Sequence, residues 1–311
     1  MVRKDKIVLG IIGYNEGNGH PYSFSAIING YVQKYMDNSP YPVIANYLKK
    51  RSTFEFGINN FKVVYVWTPF DDISADISRC CYIPNIVDNY NSLIDCVDAV
   101  IIARDDAESH RKIAEPFLKN GKYVFIDKPL CNNYEDLEFF IPYLKNGQLM
   151  SCSGFRYHPL YLNKEFINLN SRRIVAATAV TTIDWYKYGI HILEGIQPAM
   201  KESIEWVQNI GENEKDIVRI QYKSGKYAII IKDNNLRGFC ANFYTNDGKN
   251  INIDFNDNFT YFRNMLLAFH DFVTLKKSTY SYNDTINLIM ALIASAESKI
   301  IKQPVYIKEN V

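Results

Sequence analysis

The stretch DAVIIARDDAESHRKIAEPFLKNGKYVFIDKPL, residues 98–130, decides the fold. Ala99 to Ala103 is a short apolar run that reads as a strand buried on both faces. Glu108 to Lys119 then places Ile113, Ala114, Phe117 and Leu118 on one helical face and closes at Gly121. Tyr123 to Ile126 is the next apolar strand, and it runs straight into Asp127-Lys128-Pro129. Strand, helix and strand in close succession are the signature of a parallel sheet flanked by helices.

The same rhythm extends upstream. Lys6 to Ile12 is a β-branched run ending at Gly13, and after a glycine-bearing loop Phe24, Ile27, Ile28, Tyr31 and Tyr35 recur at helical spacing, with Ser23 placed to cap the helix start. Phe61 to Trp67 reads as the second strand. Downstream, Asn133 to Leu144 forms a further helix, capped by Asn133 and stopped near Gly147. Beyond about residue 150 the pattern changes. Arg173 to Ile183, Ile217 to Tyr222, Tyr227 to Lys232, Gly238 to Tyr244 and Asn250 to Phe255 are strand-like. Hairpin signals at Lys223-Ser224-Gly225-Lys226 and Asn246-Asp247-Gly248 join some of them. A long helix from Asp284 to about Lys302 closes the chain, with Ile286, Ile289, Met290, Ile293 and Ile300 as its core stripe. The expected fold is α/β. A Rossmann-type doubly wound parallel sheet occupies residues 1–150, and an α+β domain with an open, largely antiparallel sheet occupies 151–311.

Composition narrows the function. Thirty-five Lys plus Arg against 34 Asp plus Glu leave a net charge of +1, so the chain carries no global electrostatic footprint for nucleic acid or an anionic membrane. A small neutral or modestly charged ligand fits better. The six cysteines include no C-x-x-C pair and read as reduced thiols in a chain long enough to need no disulfide. The basic start is followed by an apolar run of only seven residues, too short for a signal peptide or a membrane span, so the expectation is a cytoplasmic protein.

The first loop reads Gly13-Tyr14-Asn15-Glu16-Gly17-Asn18-Gly19-His20. Glycines after a first strand let backbone N–H groups approach a pyrophosphate at a helix N-terminus, which makes Gly13, Asn15, Gly17, Gly19 and His20 candidate dinucleotide contacts. The G-x-G-x-x-G spacing is not met, because Gly17-x-Gly19 is followed by Tyr22. The acidic residue expected on the adenosine ribose is also missing from the end of the second strand, where Trp67-Thr68-Pro69 stand; Asp71 and Asp72 are the nearest carboxylates. A bulky residue at Gly17 or Gly19 is expected to block the phosphates while leaving the stability of the ligand-free protein nearly unchanged.

The segment 98–130, together with SGFRYHPLY (153–161), YGIHILEGI (188–196) and the terminal SAESKIIKQPVYI, resembles the glucose–fructose oxidoreductase, inositol dehydrogenase and MocA (Gfo/Idh/MocA) family. That family's pattern ends its buried strand in Glu-Lys-Pro, here Asp127-Lys128-Pro129. The resemblance implies NAD or NADP as cofactor and hydride transfer at a hydroxyl or keto carbon of a sugar, cyclitol or sugar derivative. It assigns catalysis to Lys128 and acid/base work to His191, cofactor contacts to Asp127 and Lys128, and a cis Lys128–Pro129 bond. It further implies a homodimer or homotetramer. An ammonium at the C-terminal end of a parallel strand is physically suited to stabilising charge on a reacting oxygen, and an imidazole to moving its proton.

Departures from the pattern matter as much. Many family dehydrogenases place Asp four residues before that histidine; Lys187 stands there, with Asp184 three residues further back. Asp105-Asp106-Ala107 replace a common Thr-Pro-Asn, which offers Arg104 as a new phosphate or ribose contact. Arg156, Asp184, Lys187 and Tyr188 are the candidate substrate contacts, with a surface or interdomain salt bridge as the other reading of Arg156. His191 and Glu194, at i and i+3, lack a third partner, so no metal site is expected. These departures keep open a catalytically silent dinucleotide-binding relative as the alternative function.

Overall fold

The computed structural model describes residues 6–163 and 173–308; the basic residues Arg3 and Lys4 lie outside them. Six strands form a parallel sheet: β1 (Ile7–Ile12), β2 (Phe61–Trp67), β3 (Asn85–Ile86), β4 (Ala99–Ile102), β5 (Tyr123–Ile126) and β6 (Leu149–Ser151). Their order, β3-β2-β1-β4-β5-β6, is that of a doubly wound dinucleotide-binding sheet. Strands β1, β4 and β5 are almost wholly apolar because helices cover both faces of such a sheet. β6 has only three residues and follows Gly147, too short to stand out in sequence.

Helices α1 (His20–Asn29), α2 (Gln33–Met36), α3 (Pro42–Lys49), α4 (Asp71–Cys80), α5 (Ala107–Lys119) and α6 (Tyr134–Lys145) lie between these strands. Asn133 Oδ1 accepts the Asp136 N–H at 2.9 Å, the expected cap of α6. Ser23 does not cap α1. The helix starts three residues earlier, with Gly19 as its N-cap and Pro21 in the first turn, and Ser23 is buried with its hydroxyl on that of Tyr47. Pro21 sets the helical φ in advance, which moves the start upstream.

The second sheet has seven strands: β7 (Ile174–Thr181), β8 (Ile204–Asn209), β9 (Asp216–Tyr222), β10 (Tyr227–Lys232), β11 (Cys240–Thr245), β12 (Asn250–Asp254) and β13 (Val305–Tyr306). Its order is β12-β11-β7-β10-β9-β8-β13, antiparallel except for the β7/β10 pair. Both expected hairpins form, with Gly225 and Gly248 in the left-handed region their turns require. After the short α7 (Pro159–Leu162) come α8 (Ile190–Met200), α9 (Asn258–Leu275) and α10 (Tyr282–Ile301). One sheet face buries Ala177, Ala179, Val207, Val218, Ile220, Ala228 and Ile230, and α8 and α10 pack on this sheet.

The chain divides into two compact units. The first comprises the residues up to Asp127 with 142–151 and 262–279; the second comprises 128–141, 152–261 and 280 onward. Among the described residues no helix is long and apolar enough to cross a membrane.

Gly17 and Gly19 differ in what surrounds them. A Cβ on Gly17 meets nothing within 4 Å, although φ is +83°, whereas one on Gly19 falls 2.5 Å from Ile44 Cδ1 and 2.8 Å from the Tyr41 ring. Gly19→Val therefore overpacks the protein itself, contrary to the sequence expectation. It should cost about 1–3 kcal/mol and lower the melting temperature of the ligand-free protein by several degrees. Substitution at Gly17 costs only backbone strain of about 1–2 kcal/mol. Thermal unfolding of Gly19→Val beside Gly17→Ala checks this, the former being the less stable.

Candidate active site

In the first unit, in-register pairing sets Ile12, Ile102 and Ile126 side by side at the C-terminal ends of β1, β4 and β5. Three loops leave from this edge, which is where open α/β sheets bind ligands. Asn15 joins the first to the second: its Nδ2 donates to Asp105 Oδ1 at 2.5 Å, and its Oδ1 accepts the Asp105 N–H at 3.0 Å. Arg104 joins them again. Its guanidinium donates to both Asp106 oxygens, at 2.8 and 2.6 Å, and to the Tyr14 carbonyl at 2.7 Å. Its charge is spent on loop architecture. His110 is fully buried, with Nε2 3.1 Å from the Arg104 carbonyl, and shapes the same turn from below.

The third loop is tied to the first through Asp127. The His20 imidazole pairs with Asp127 Oδ2, and Asn18 Nδ2 donates to the same oxygen at 3.4 Å, while Asn18 Oδ1 accepts the His20 N–H at 2.8 Å. His20 also stacks on Phe24, with ring centroids 4.9 Å apart. In the first turn of α1 the His20 N–H is held by Asn18 and the Tyr22 and Ser23 N–H groups by the Gly19 carbonyl, while Gly17 leaves open space before the helix. An open approach to a helix N-terminus suits a pyrophosphate. Asp71 and Asp72 begin α4 in exposed positions, and Thr68, at the end of β2, is bonded to Ser74 and the Phe70 carbonyl.

In the second unit, Lys128 is buried, its bond to Pro129 is cis as expected, and Nζ stands 5.8 Å from the centroid of the Tyr188 ring. The His191 ring centroid is 6.0 Å from that of Tyr188, so the phenol is a common neighbour of the two candidate catalytic groups. Phe155 at 4.9 Å and Phe239 at 5.8 Å enclose the imidazole further. Asp184 caps the single wide turn Trp185–Gly189, accepting the Lys187 N–H at 2.8 Å; its carboxylate is exposed, while Lys187 and Tyr188 are half-buried. Gly189 is required by packing, since a Cβ there falls 2.8 Å from the Trp185 ring.

Arg156 is buried and paired inside the second unit, so it makes no surface salt bridge. Its Nε is 2.7 Å from Glu194 Oε2, and the two side chains are 3% and 2% exposed. Burial works to lower the guanidinium pKa, and the neighbouring carboxylate outweighs it, holding the charge on. Burial pushes the Glu194 carboxyl above its ordinary range against the pull of Arg156. The Arg156 carbonyl accepts from Tyr280 Oη at 2.7 Å, and Nη1 donates to Thr285 Oγ1 at 3.3 Å. Glu194 in turn accepts the Ser153 N–H at 2.9 Å, and Ser153 Oγ lies 2.6 Å from His191 Nδ1. Sequence reasoning missed Ser153 altogether. The only signal was its place at the head of the SGFRYHPLY motif.

Comparison with known proteins places part of the chain. Residues 42–153, which span β2 to β6 and carry Asp127-Lys128-Pro129, match the oxidoreductase family with an NAD-binding Rossmann fold. Through this stretch the chain is similar to the Gfo/Idh/MocA family. YceM of Salmonella typhimurium is 33% identical over 97 residues, 30% of this chain and 31% of that protein, so the match spans under a third of its length. Among solved structures, myo-inositol 2-dehydrogenase from Lactobacillus plantarum is similar over 97% of this chain and 100% of its own, with TM-score 0.75 and 15% identity. The scyllo-inositol dehydrogenase of Lactobacillus casei, solved with NAD(H) and scyllo-inositol, covers 97% and 99% with TM-score 0.73 and 14% identity. These likenesses establish the fold along the chain.

Breaking a buried ion pair leaves one charge uncompensated, at about 3–5 kcal/mol. Arg156→Met should lose stability in that range by urea unfolding at neutral pH. With its partner gone, the folded-state pKa of Glu194 rises further above the unfolded value, so the deficit should shrink as pH falls and the carboxyl protonates. A deficit constant from pH 8 to pH 5 would contradict this account of the pair.

Proposed function

We propose that the protein is an NAD(P)-dependent oxidoreductase that moves hydride between the nicotinamide and a hydroxyl or keto carbon of a sugar, cyclitol or sugar derivative. The observation that carries the reading is Lys128 and His191, two groups able to act on one oxygen, buried around a single tyrosine in a chain whose β1–α1 loop is shaped for a pyrophosphate. The family match over residues 42–153 supports the cofactor class, and the structural likeness to inositol dehydrogenases supports the substrate class.

The cofactor, when bound, supplies or accepts the hydride; the chain's own residues do the rest. The open space at Gly17 lets the phosphates reach the N-terminal end of α1 beside Gly13 and Gly19, with Asn15 and His20 fixing the loop there. Lys128, next in the chain after the Asp127 that His20 holds, stabilises charge on the reacting oxygen. His191 takes part at the same oxygen, and Tyr188, Lys187 and Asp184 are assigned to the substrate's other groups. The cation at Lys187 favours a substrate bearing an acidic group near it. The other face of the second sheet leaves Ile217, Tyr227, Ile231 and Tyr244 exposed, which supports a homodimer or homotetramer formed through that face.

General acid/base groups contribute about 10²–10⁴ in rate. NADH or NADPH fluorescence titration should therefore give affinities within about tenfold of wild type for Lys128→Ala and His191→Ala, with kcat on an accepted cyclitol or sugar lowered by that range in each. The double variant should lose less than the product of the two. Full turnover by both single variants, or the absence of binding by either dinucleotide, would refute the reading.

A further inference from the structure

Resting on that reading, a division of labour between His191 and Lys128 follows from the hydrogen bonds of Ser153. Ser153 precedes the turn Gly154–Tyr157 and caps it, its Oγ accepting the Phe155 N–H at 3.2 Å. Its own N–H is held by Glu194, which sits three residues after His191 on the same face of α8. Ser153 is thus fixed to this helix at backbone and side chain alike.

The hydroxyl has one hydrogen to place. Ser153 is 1% exposed, and among the described residues His191 Nδ1, at 2.6 Å, is the one acceptor its hydroxyl reaches. Leaving a buried donor unmet costs about 1–3 kcal/mol. A neutral imidazole that accepts at Nδ1 carries its hydrogen on Nε2. A carboxylate in the same place reverses this, because it only accepts and therefore draws the hydrogen onto Nδ1. The Glu194 carboxylate, one turn along the same helix, is turned onto Arg156 and the Ser153 amide. No aspartate stands four residues before His191 to take its place.

We propose that Ser153 is a positioning residue that holds neutral His191 in the Nε2–H tautomer, so that His191 meets the reacting oxygen as a hydrogen-bond donor and Lys128 carries the proton. In the reducing direction the carbonyl carbon gains hydride, its oxygen gains the proton from the Lys128 ammonium, and the Nε2–H bond holds that oxygen without losing its hydrogen. Oxidation is the reverse, with the Lys128 amine accepting the hydroxyl proton.

Long-range ¹H–¹⁵N correlation of the histidine side chains in the full-length, ligand-free protein tests this directly. The chain has five histidines, and His191→Asn assigns the signal. The wild-type neutral ring should be protonated on Nε2, Ser153→Ala should show both tautomers, and Ser153→Thr should restore the single form. On an accepted substrate Ser153→Ala should lower kcat about tenfold with KM within about twofold, the loss of one net hydrogen bond. A wild-type ring protonated on Nδ1, or a spectrum unchanged in Ser153→Ala, would overturn the proposal, and the wild-type spectrum decides even if a variant fails to fold. Failure of the functional reading is distinguishable: it appears as absent dinucleotide binding or as active Lys128→Ala and His191→Ala variants, none of which alters the tautomer.

Discussion

The buried Arg156–Glu194 ion pair organises the second unit. Two opposite charges withdrawn from water are tolerated only where each is paired and hydrogen-bonded, and here the carboxylate's additional partner is the Ser153 amide. The pair therefore does more than neutralise itself. It fastens the segment entering Gly154–Tyr157 to α8, and through Ser153 it sets the orientation of His191. A hydrophobic substitute of equal volume would fill the space and leave the amide without its acceptor.

A comparable economy runs through the first unit, where parallel pairing forces the ends of β1, β4 and β5 to one edge. The loops that leave there are bound to one another by Asn15–Asp105, Arg104–Asp106 and His20–Asp127. Charges that the sequence offers as ligand contacts are used to hold the loops in shape. What remains for a ligand is the open space at Gly17 before the N-terminal end of α1.

The parallel sheet is legible because each strand is short, apolar and followed by a helix with a clear stripe, so period and length agree. Lys128 and His191 are legible through the motifs that carry them. Helix α9 is not, although Phe262, Leu266, Phe269 and Val273 recur at helical spacing and are buried. Its many aromatic residues suit a strand equally well, and tertiary packing decides. Strand β8, IEWVQN, mixes polar and apolar residues one strand in from an edge and is equally silent. Arg156 and Ser153 fail for another reason. Their partners lie 38 and 41 residues away in sequence, at distances no local pattern reports. The same holds for Gly19, whose neighbours Tyr41 and Ile44 come from α3 and the residue before it.

The proposed function requires hydride exchange between a nicotinamide and a carbon whose oxygen meets Lys128 and His191. Its most direct measurement is mass spectrometry of the products formed when the purified protein is incubated with nicotinamide dinucleotide deuterated at C4 and a panel of keto-cyclitols and keto-sugars. The account predicts one deuterium on the new carbinol carbon of at least one member, and its loss in Lys128→Ala. Tight dinucleotide binding with no label transferred to any member would contradict the claim and leave a protein that keeps the fold and the cofactor without the chemistry.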